Sequence, residues 1–219
     1  MTDSFLDAQA ETAVKRRVAA LESATGVEVV TAVISRADSY PEIPWKAFAL
    51  GASLVSLAAA ASALLEPGWE AFEAVAETVV ATLAGGAVAA LVTIWVAPFA
   101  RLFLPRARRE GEVLQYAQAM FLESGMFRTL HRNGILLLVS LFERQVVVVA
   151  DRGVREKIGG GLDPVVSAVT TRLAQGELEN ALLDGLAQLE ESLLARGFRP
   201  QPGATNELPD SVVQQRGPS

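Results

Sequence analysis

The chain has no cysteine and one histidine, His131. Without cysteine there is no disulfide, no thiolate metal site and no sulfur nucleophile. A zinc site would need three carboxylates beside the single imidazole, and a serine–histidine–acid triad has no partners that the spacing places, so His131 reads as a loop residue. Basic clusters of the kind that hold nucleic acid are also missing, and the net charge is -6. The N-terminal stretch MTDSFLDAQAETAVKRR is acidic and then basic, with no apolar core, so it is not a secretory signal peptide. The glycine run at 159–161 lacks the Lys-Ser/Thr of a phosphate-binding loop, and Asp163 beside it would repel phosphate; it reads as a flexible turn.

The most informative absence is of charge. Residues 47–65 and 78–100 contain no Asp, Glu, Lys, Arg or His. Each reaches the roughly 20 apolar residues that cross a bilayer core about 30 Å thick. They raise the mean hydropathy to +0.31. The segment between them carries Glu66, Glu70, Glu73 and Glu77 and no basic residue, whereas Arg36 and Lys46 precede the first span and Arg101, Arg106, Arg108 and Arg109 follow the second. Basic residues accumulate on the cytoplasmic side. The expectation is a two-span protein of a bacterial inner membrane with both termini cytoplasmic. Trp45, Trp69 and Trp95 lie near span ends, where amphipathic rings are favoured. Small residues at four-residue spacing, Ala52/Ser56/Ala60 and Gly85/Ala89 with Gly86/Ala90, let helices approach closely; they suit packing of the hairpin on itself, or contact with another copy or partner. With no ionisable group in either span, a transport path is not indicated.

The remainder suffices for one α/β domain. Leu6, Ala10, Val14, Val18 and Leu21 share one face of a helix that ends at Gly26. VEVVTAVIS (27–35) reads as a strand. Residues 110–123 form a second amphipathic helix; 135–142 and 145–150 are apolar strands joined by a tight connection at Glu143-Arg144. Helices follow at 163–174, capped by Asp163-Pro164, and at 177–196. Runs apolar on both faces indicate strands covered on both sides, a small three-layer α/β/α domain. The expected division is 1–44 (helix and strand), 45–104 (membrane hairpin), 105–197 (the rest of the domain) and a disordered tail at 198–219 rich in Pro, Gly, Gln and Asn.

Three segments carry a resemblance: LESATGVEVVTAVIS; YAQAMFLESGMFRTLHRNGILLLVSLFERQVVVVADRGV; and GGGLDPVVSAVTTRLAQGELENALLDGLAQLEE. In this order they resemble the TPM domain, a family named for a thylakoid lumen protein, a photosystem II repair protein and a nematode receptor modulator. The resemblance implies helices on both sides of a small sheet. It also implies membrane tethering in many bacterial members, and acid phosphatase activity with divalent-metal binding in some plant members. Two departures stand out. Arg132 occupies the place of the family's acidic residue before Asn-Gly, and Ala150-Asp151-Arg152-Gly153 replaces a Gly-Tyr-Gly-like turn. Arginine puts positive charge where a hard cation needs oxygen ligands.

Candidate site residues are therefore few. Asp151 and Glu156 follow a strand end, a common place for functional groups. With Glu28 and Asn133, Asp151 completes a weak candidate set for a divalent cation such as Ca or Mg; no other cofactor is indicated. The basic flank 101–109 could meet acidic lipid headgroups, although its role in setting topology already accounts for it. The leading expectation is a non-catalytic interaction, assembly or quality-control module at the cytoplasmic membrane face. Its partners would be the bilayer and another membrane protein, a related TPM protein or a second copy, and not nucleic acid. The alternative is a weak metal-dependent acid phosphatase.

Overall fold

The computed structural model describes residues 5–65, 71–129, 131–200 and 212–218. In chain order the first elements are α1 (Ala8–Thr25), β1 (Glu28–Ile34), α2 (Glu42–Leu65), α3 (Ala71–Trp95), α4 (Ala97–Arg101) and α5 (Arg106–Glu123). Then come β2 (Gly134–Ser140), β3 (Gln145–Ala150), α6 (Arg152–Ile158), α7 (Asp163–Ala174), α8 (Leu178–Ala195) and β4 (Val213–Gln215). The chain divides into two compact units, Met1–Asp38 with Arg109–Ser219, and Ser39–Arg108.

The first unit is built on a four-stranded sheet in the order β3-β2-β1-β4. β1 pairs in parallel with β2 and β4, and β2 pairs antiparallel with β3. Odd and even residues divide cleanly between the faces. Val29, Val33, Ile135 and Leu137 pack with Val14, Val18 and Leu21 of α1, Val169 of α7 and Leu182, Leu186 and Leu189 of α8. Val30, Ala32, Ile34, Leu136 and Leu138 pack with Val113, Ala117, Met120 and Phe121 of α5. β1 and β2 are buried along their whole length because both faces are covered, which is why their sequences show no polar alternation. This is the three-layer α/β/α arrangement. α1 starts on Asp7, whose carboxylate accepts from the Ala10 amide, and stops on Gly26 in the left-handed conformation at φ 68°. α7 and α8 approach closely at Gly185, where a Cβ would drive into Val169.

The sequence expectations need correction in four places. The β2–β3 connection is four residues long, 141–144, not two, with Arg144 at φ 52° and Ser140 paired with Gln145. Its Glu143 side chain turns inward and is fully buried: Oε1 accepts from the Ala37 amide at 2.9 Å and Oε2 from the Ser140 hydroxyl. α6 was not anticipated; Asp151 starts it, its carboxylate accepting from the Arg152 amide. The second apolar run is broken after Trp95 because Pro98, in the first turn of α4, cannot continue the α3 ladder. Part of the segment expected to be a disordered tail is ordered. Val213–Gln215 adds a strand beside β1, and Gln214 Oε1 accepts from the amides of Phe5 and Leu6 at 2.6 and 3.2 Å. Residues 201–211 lie outside the described residues.

The second unit is a helical hairpin. Both helices, Glu42–Leu65 and Val75–Trp95, are long and apolar enough to cross a membrane, their most apolar 18-residue stretches having mean hydropathies of 2.0 and 1.9. They meet through small residues. A Cβ at Gly51 would lie 2.6 Å from the Gly85 carbonyl oxygen and 2.7 Å from Ala89 Cβ, and Gly86 lies under the Phe48 ring. Ser56 and Thr82 hydroxyls are 3.2 Å apart across the same seam. The small-residue spacing is thus used within the hairpin. Its large side chains, including Leu54, Leu57, Val80, Val88 and Ile94, point outward and are exposed. Trp45 and Trp95 are 73% and 75% exposed, flanking one end. There the Arg108–Glu42 ion pair at 2.9 Å and a Lys46–Phe103 carbonyl bond at 3.3 Å tie the start of α2 to the segment after α3. The connecting residues 66–70, with Trp69 and two of the expected loop glutamates, lie outside the described residues.

Candidate functional site

The sequence candidates gather at one end of the sheet. Glu28 opens β1, opposite Gly134 at the start of β2, and the Asp151 amide donates to the Gly134 carbonyl. Glu28, Gly134 and Asp151 thus form one row, Asp151 lying just past the end of β3. Gly134 has no side chain to bridge the row, and the two carboxylates stand on strands about 10 Å apart, twice the interstrand spacing. A Cβ at Gly134 would lie 2.9 Å from the Met126 carbonyl oxygen, so the gap cannot be filled.

Asp151 is 4% exposed and fully engaged. The Arg132 guanidinium grips it in a fork, Nε to Oδ2 at 2.8 Å and an NH2 group to Oδ1 at 3.0 Å, while the Arg152 amide donates to Oδ1 at 2.6 Å. Burial alone would raise the Asp151 pKa. The Arg132 hydrogen bonds, the Arg152 amide and the charges of Arg132 and Arg155 outweigh it and hold the carboxyl below its usual range. Arg132 reaches this position from a left-handed backbone, φ 51°, uncommon for a non-glycine residue. The arginine that departs from the family pattern has become the carboxylate's counter-ion.

Asn133 is directed elsewhere. Its Nδ2 donates to the Gly26 carbonyl at 2.5 Å, and it lines an open cleft of about 280 Å³ shared by the ends of α1 and α8 and by α6. The other walls are Thr25, His131, Lys157, Phe198 and Arg199, with Gly153 and Gly197 leaving backbone exposed. Glu156 is a surface residue paired with Arg152 at 2.6 Å. A divalent cation needs about six converging oxygens. Asp151 is committed to two donors, Glu28 stands two strands away, and Asn133 is turned into the cleft. Among the described residues no group of three or more His, Asp or Glu is placed to hold a metal. The residues present do not fit the cation that the family resemblance implies.

Residues 92–192 match the family model described as the TPM domain. The chain carries a TPM domain. The matched segment holds the end of α3, then α4, α5, β2, β3, α6 and α7 and most of α8, while α1 and β1, which complete the core, precede it. The fold is similar to the NMR structure of BA42 protein from the psychrophilic bacterium Bizionia argentinensis, with a TM-score of 0.59 and 15% identity over 97% of both chains. At that identity the likeness concerns fold alone. No curated protein matches the chain. Within the TPM domain, sequence reasoning singled out Asp151 and Asn133 but not what they contact. The Arg132–Asp151 fork and the Lys157–Phe198–Arg199 wall join segments far apart in the chain; only the arginine in an acidic position gave a signal.

Proposed function

We propose that the protein is a membrane-anchored, non-catalytic interaction module. The hairpin crosses the bacterial inner membrane twice and both termini are cytoplasmic. The TPM domain engages another membrane protein, a related TPM protein among the candidates, in assembly or quality control. The outward face of the hairpin carries this reading: leucine, valine and isoleucine side chains that water would penalise stand exposed along both long helices. Tryptophans at one end and the adjacent Lys46, Arg101 and Arg106 suit the lipid–water boundary on the cytoplasmic side. The absence of chemistry is supported by Asp151, whose oxygens are held by Arg132 and are not available to a cation or a proton-transfer step.

The test uses the protein in its native membrane. A tagged chain is crosslinked and its near-stoichiometric partners are identified, and the same is done after excision of the hairpin. Recovery of one membrane partner that is lost on excision is expected; undiminished recovery without the hairpin would overturn the anchoring role. Because the chain has no cysteine, Thr12→Cys supplies a single topology probe, which should react only from the cytoplasmic side. The enzymatic alternative requires turnover of a phosphomonoester with a divalent cation that Asp151→Asn abolishes; such a result would displace the non-catalytic reading.

A further inference from the structure

The cleft beside Asn133 takes no part in the Arg132–Asp151 pair, and its chemistry is one-sided. Lys157, Arg199 and His131 bring nitrogen donors to it, and among the described residues no carboxylate lines it. Helix C-termini also converge here, and their carbonyls could in principle have absorbed those cations. Arg199 does donate to the Leu194 and Phe198 carbonyls, whereas backbone amides hold the others. Glu22 O accepts from the Gly26 amide, Leu193 O from the amides of Arg196 and Phe198, and Leu194 O from the Gly197 amide and the Arg199 side chain. Lys157 Nζ lies 5.0 Å from the centre of the Phe198 ring, held at the wall without an anionic partner among the described residues of the cleft.

Against this donor-rich lining stands one side-chain acceptor without a partner among the described residues. Asn133 Oδ1 is buried and, among the described residues, has no hydrogen-bond partner. Its orientation is fixed, because the other amide atom donates to the Gly26 carbonyl; a flip would set two acceptors against each other. A buried unsatisfied acceptor costs about 1–3 kcal/mol and calls for a donor. The occupant that satisfies both halves is an anion carrying a hydrogen-bond donor nearby. A free amino acid would bring an ammonium group, for which the described lining offers no counter-charge. A peptide chain end brings an uncharged N–H next to its carboxylate.

We infer that this cleft binds the C-terminal carboxylate of a peptide, with Lys157 and Arg199 facing the carboxylate and Asn133 Oδ1 receiving the last peptide N–H. The volume, about 280 Å³, lies just below the usual range of small-molecule pockets, so only the chain end enters. The inference rests on the interaction-module reading and gives it a recognition chemistry: the partner presents a free C-terminus at the membrane face.

The experiment titrates the full chain, in detergent micelles and labelled with nitrogen-15, with N-acetyl-alanyl-alanine. The probes are the amide resonances of Gly26, Gly153 and Gly197 around the cleft. Saturable shifts of these three are expected. The C-terminal primary amide of the same peptide should leave them unmoved, and free alanine should do little. Lys157→Gln, on an exposed side chain, should weaken binding roughly tenfold, the loss of one charge-assisted contact. Equal shifts from the primary amide would overturn the inference, as would inorganic phosphate acting as well as the peptide, or no saturable shift by any probe. If the peptide fails while a membrane partner is still crosslinked, the cleft proposal falls and the interaction-module reading stands; if the peptide binds but no partner is captured, the reverse holds.

Discussion

Replacing Glu143 should loosen the TPM domain at the turn between β2 and β3. The residue is fully buried in the turn after β2, and its carboxylate accepts from the Ala37 amide and the Ser140 hydroxyl. Hydrogen bonds to a charged acceptor contribute about 1.5–3 kcal/mol each, so Glu143→Ala should cost roughly 3–5 kcal/mol once the two stranded donors are counted. Glu143→Gln keeps an oxygen for Ala37 but faces Ser140 with an amide, and should cost only about 1 kcal/mol. All three tryptophans lie at 45, 69 and 95, so their fluorescence reports the hairpin and not this domain. Hydrogen exchange read by mass spectrometry on peptides covering β1 and β2 is the appropriate assay. At about 1.4 kcal/mol per decade, Glu143→Ala should speed the slowest amides by a hundredfold or more, and Glu143→Gln by about fivefold. A Ser140→Ala change added to Glu143→Ala should cost little more, because the two share one interaction. Fully additive effects, or an alanine variant exchanging within threefold of the parent, would refute the clasp.

Removing the guanidinium from Asp151 with Arg132→Ala should raise the pH at which the domain unfolds in acid. The Asp151 carboxyl is held below its unfolded value of about 3.9, so its contribution is present above that pH and is lost as pH falls through the lower native value; without Arg132 that loss begins at higher pH, which circular dichroism can follow. Gly51→Leu should splay the hairpin, since even a Cβ there meets Gly85 and Ala89. In a Ser56→Cys/Thr82→Cys background, where the parent hydroxyls are 3.2 Å apart, the parent should form a disulfide readily and the leucine variant should not. Gln214→Ala should free the Phe5 and Leu6 amides and speed their exchange about fivefold, the equivalent of roughly 1 kcal/mol, while leaving β2 and β3 unchanged.

What could be read from the sequence was whatever repeats along it. The helix faces of α1, α5 and α8 and the apolar strands β1 and β2 are set by side-chain periodicity, and they fold as expected. α6 is seven residues long, too short to show a period, and its one signal was Asp151, which read as a candidate ligand rather than an N-cap. β4 is three residues in a polar, proline-rich stretch; its place depends on Gln214 reaching the amides of Phe5 and Leu6, a long-range bond that no local pattern announces. Glu143 looked like a turn residue because glutamate is rarely buried, yet the two donors that hold it come from different strand ends. At the candidate site, the arginine in an acidic position was legible as a departure from the family pattern, but its pairing with Asp151 depends on a left-handed residue whose geometry composition does not reveal.

The interrupted order of the sheet has a consequence for how the protein is made. β1 leaves the ribosome early, but its first partner, β2, begins at Gly134, about 100 residues later, and the other, β4, at Val213. At the usual 5–20 residues per second, β1 waits roughly 5–20 s with both edges bare. During that interval α2 and α3 are completed, so the hairpin can close before the sheet that brackets it in the chain. EVVTAVI is an uncharged β-branched run after its first residue, the kind of segment that pairs with copies of itself when left open. α1, which has already emerged, can shield only the Val29 and Val33 side. Overproduction should therefore fail first by aggregation of nascent chains through β1, and slowing synthesis should aggravate that failure unless a chaperone occupies the strand.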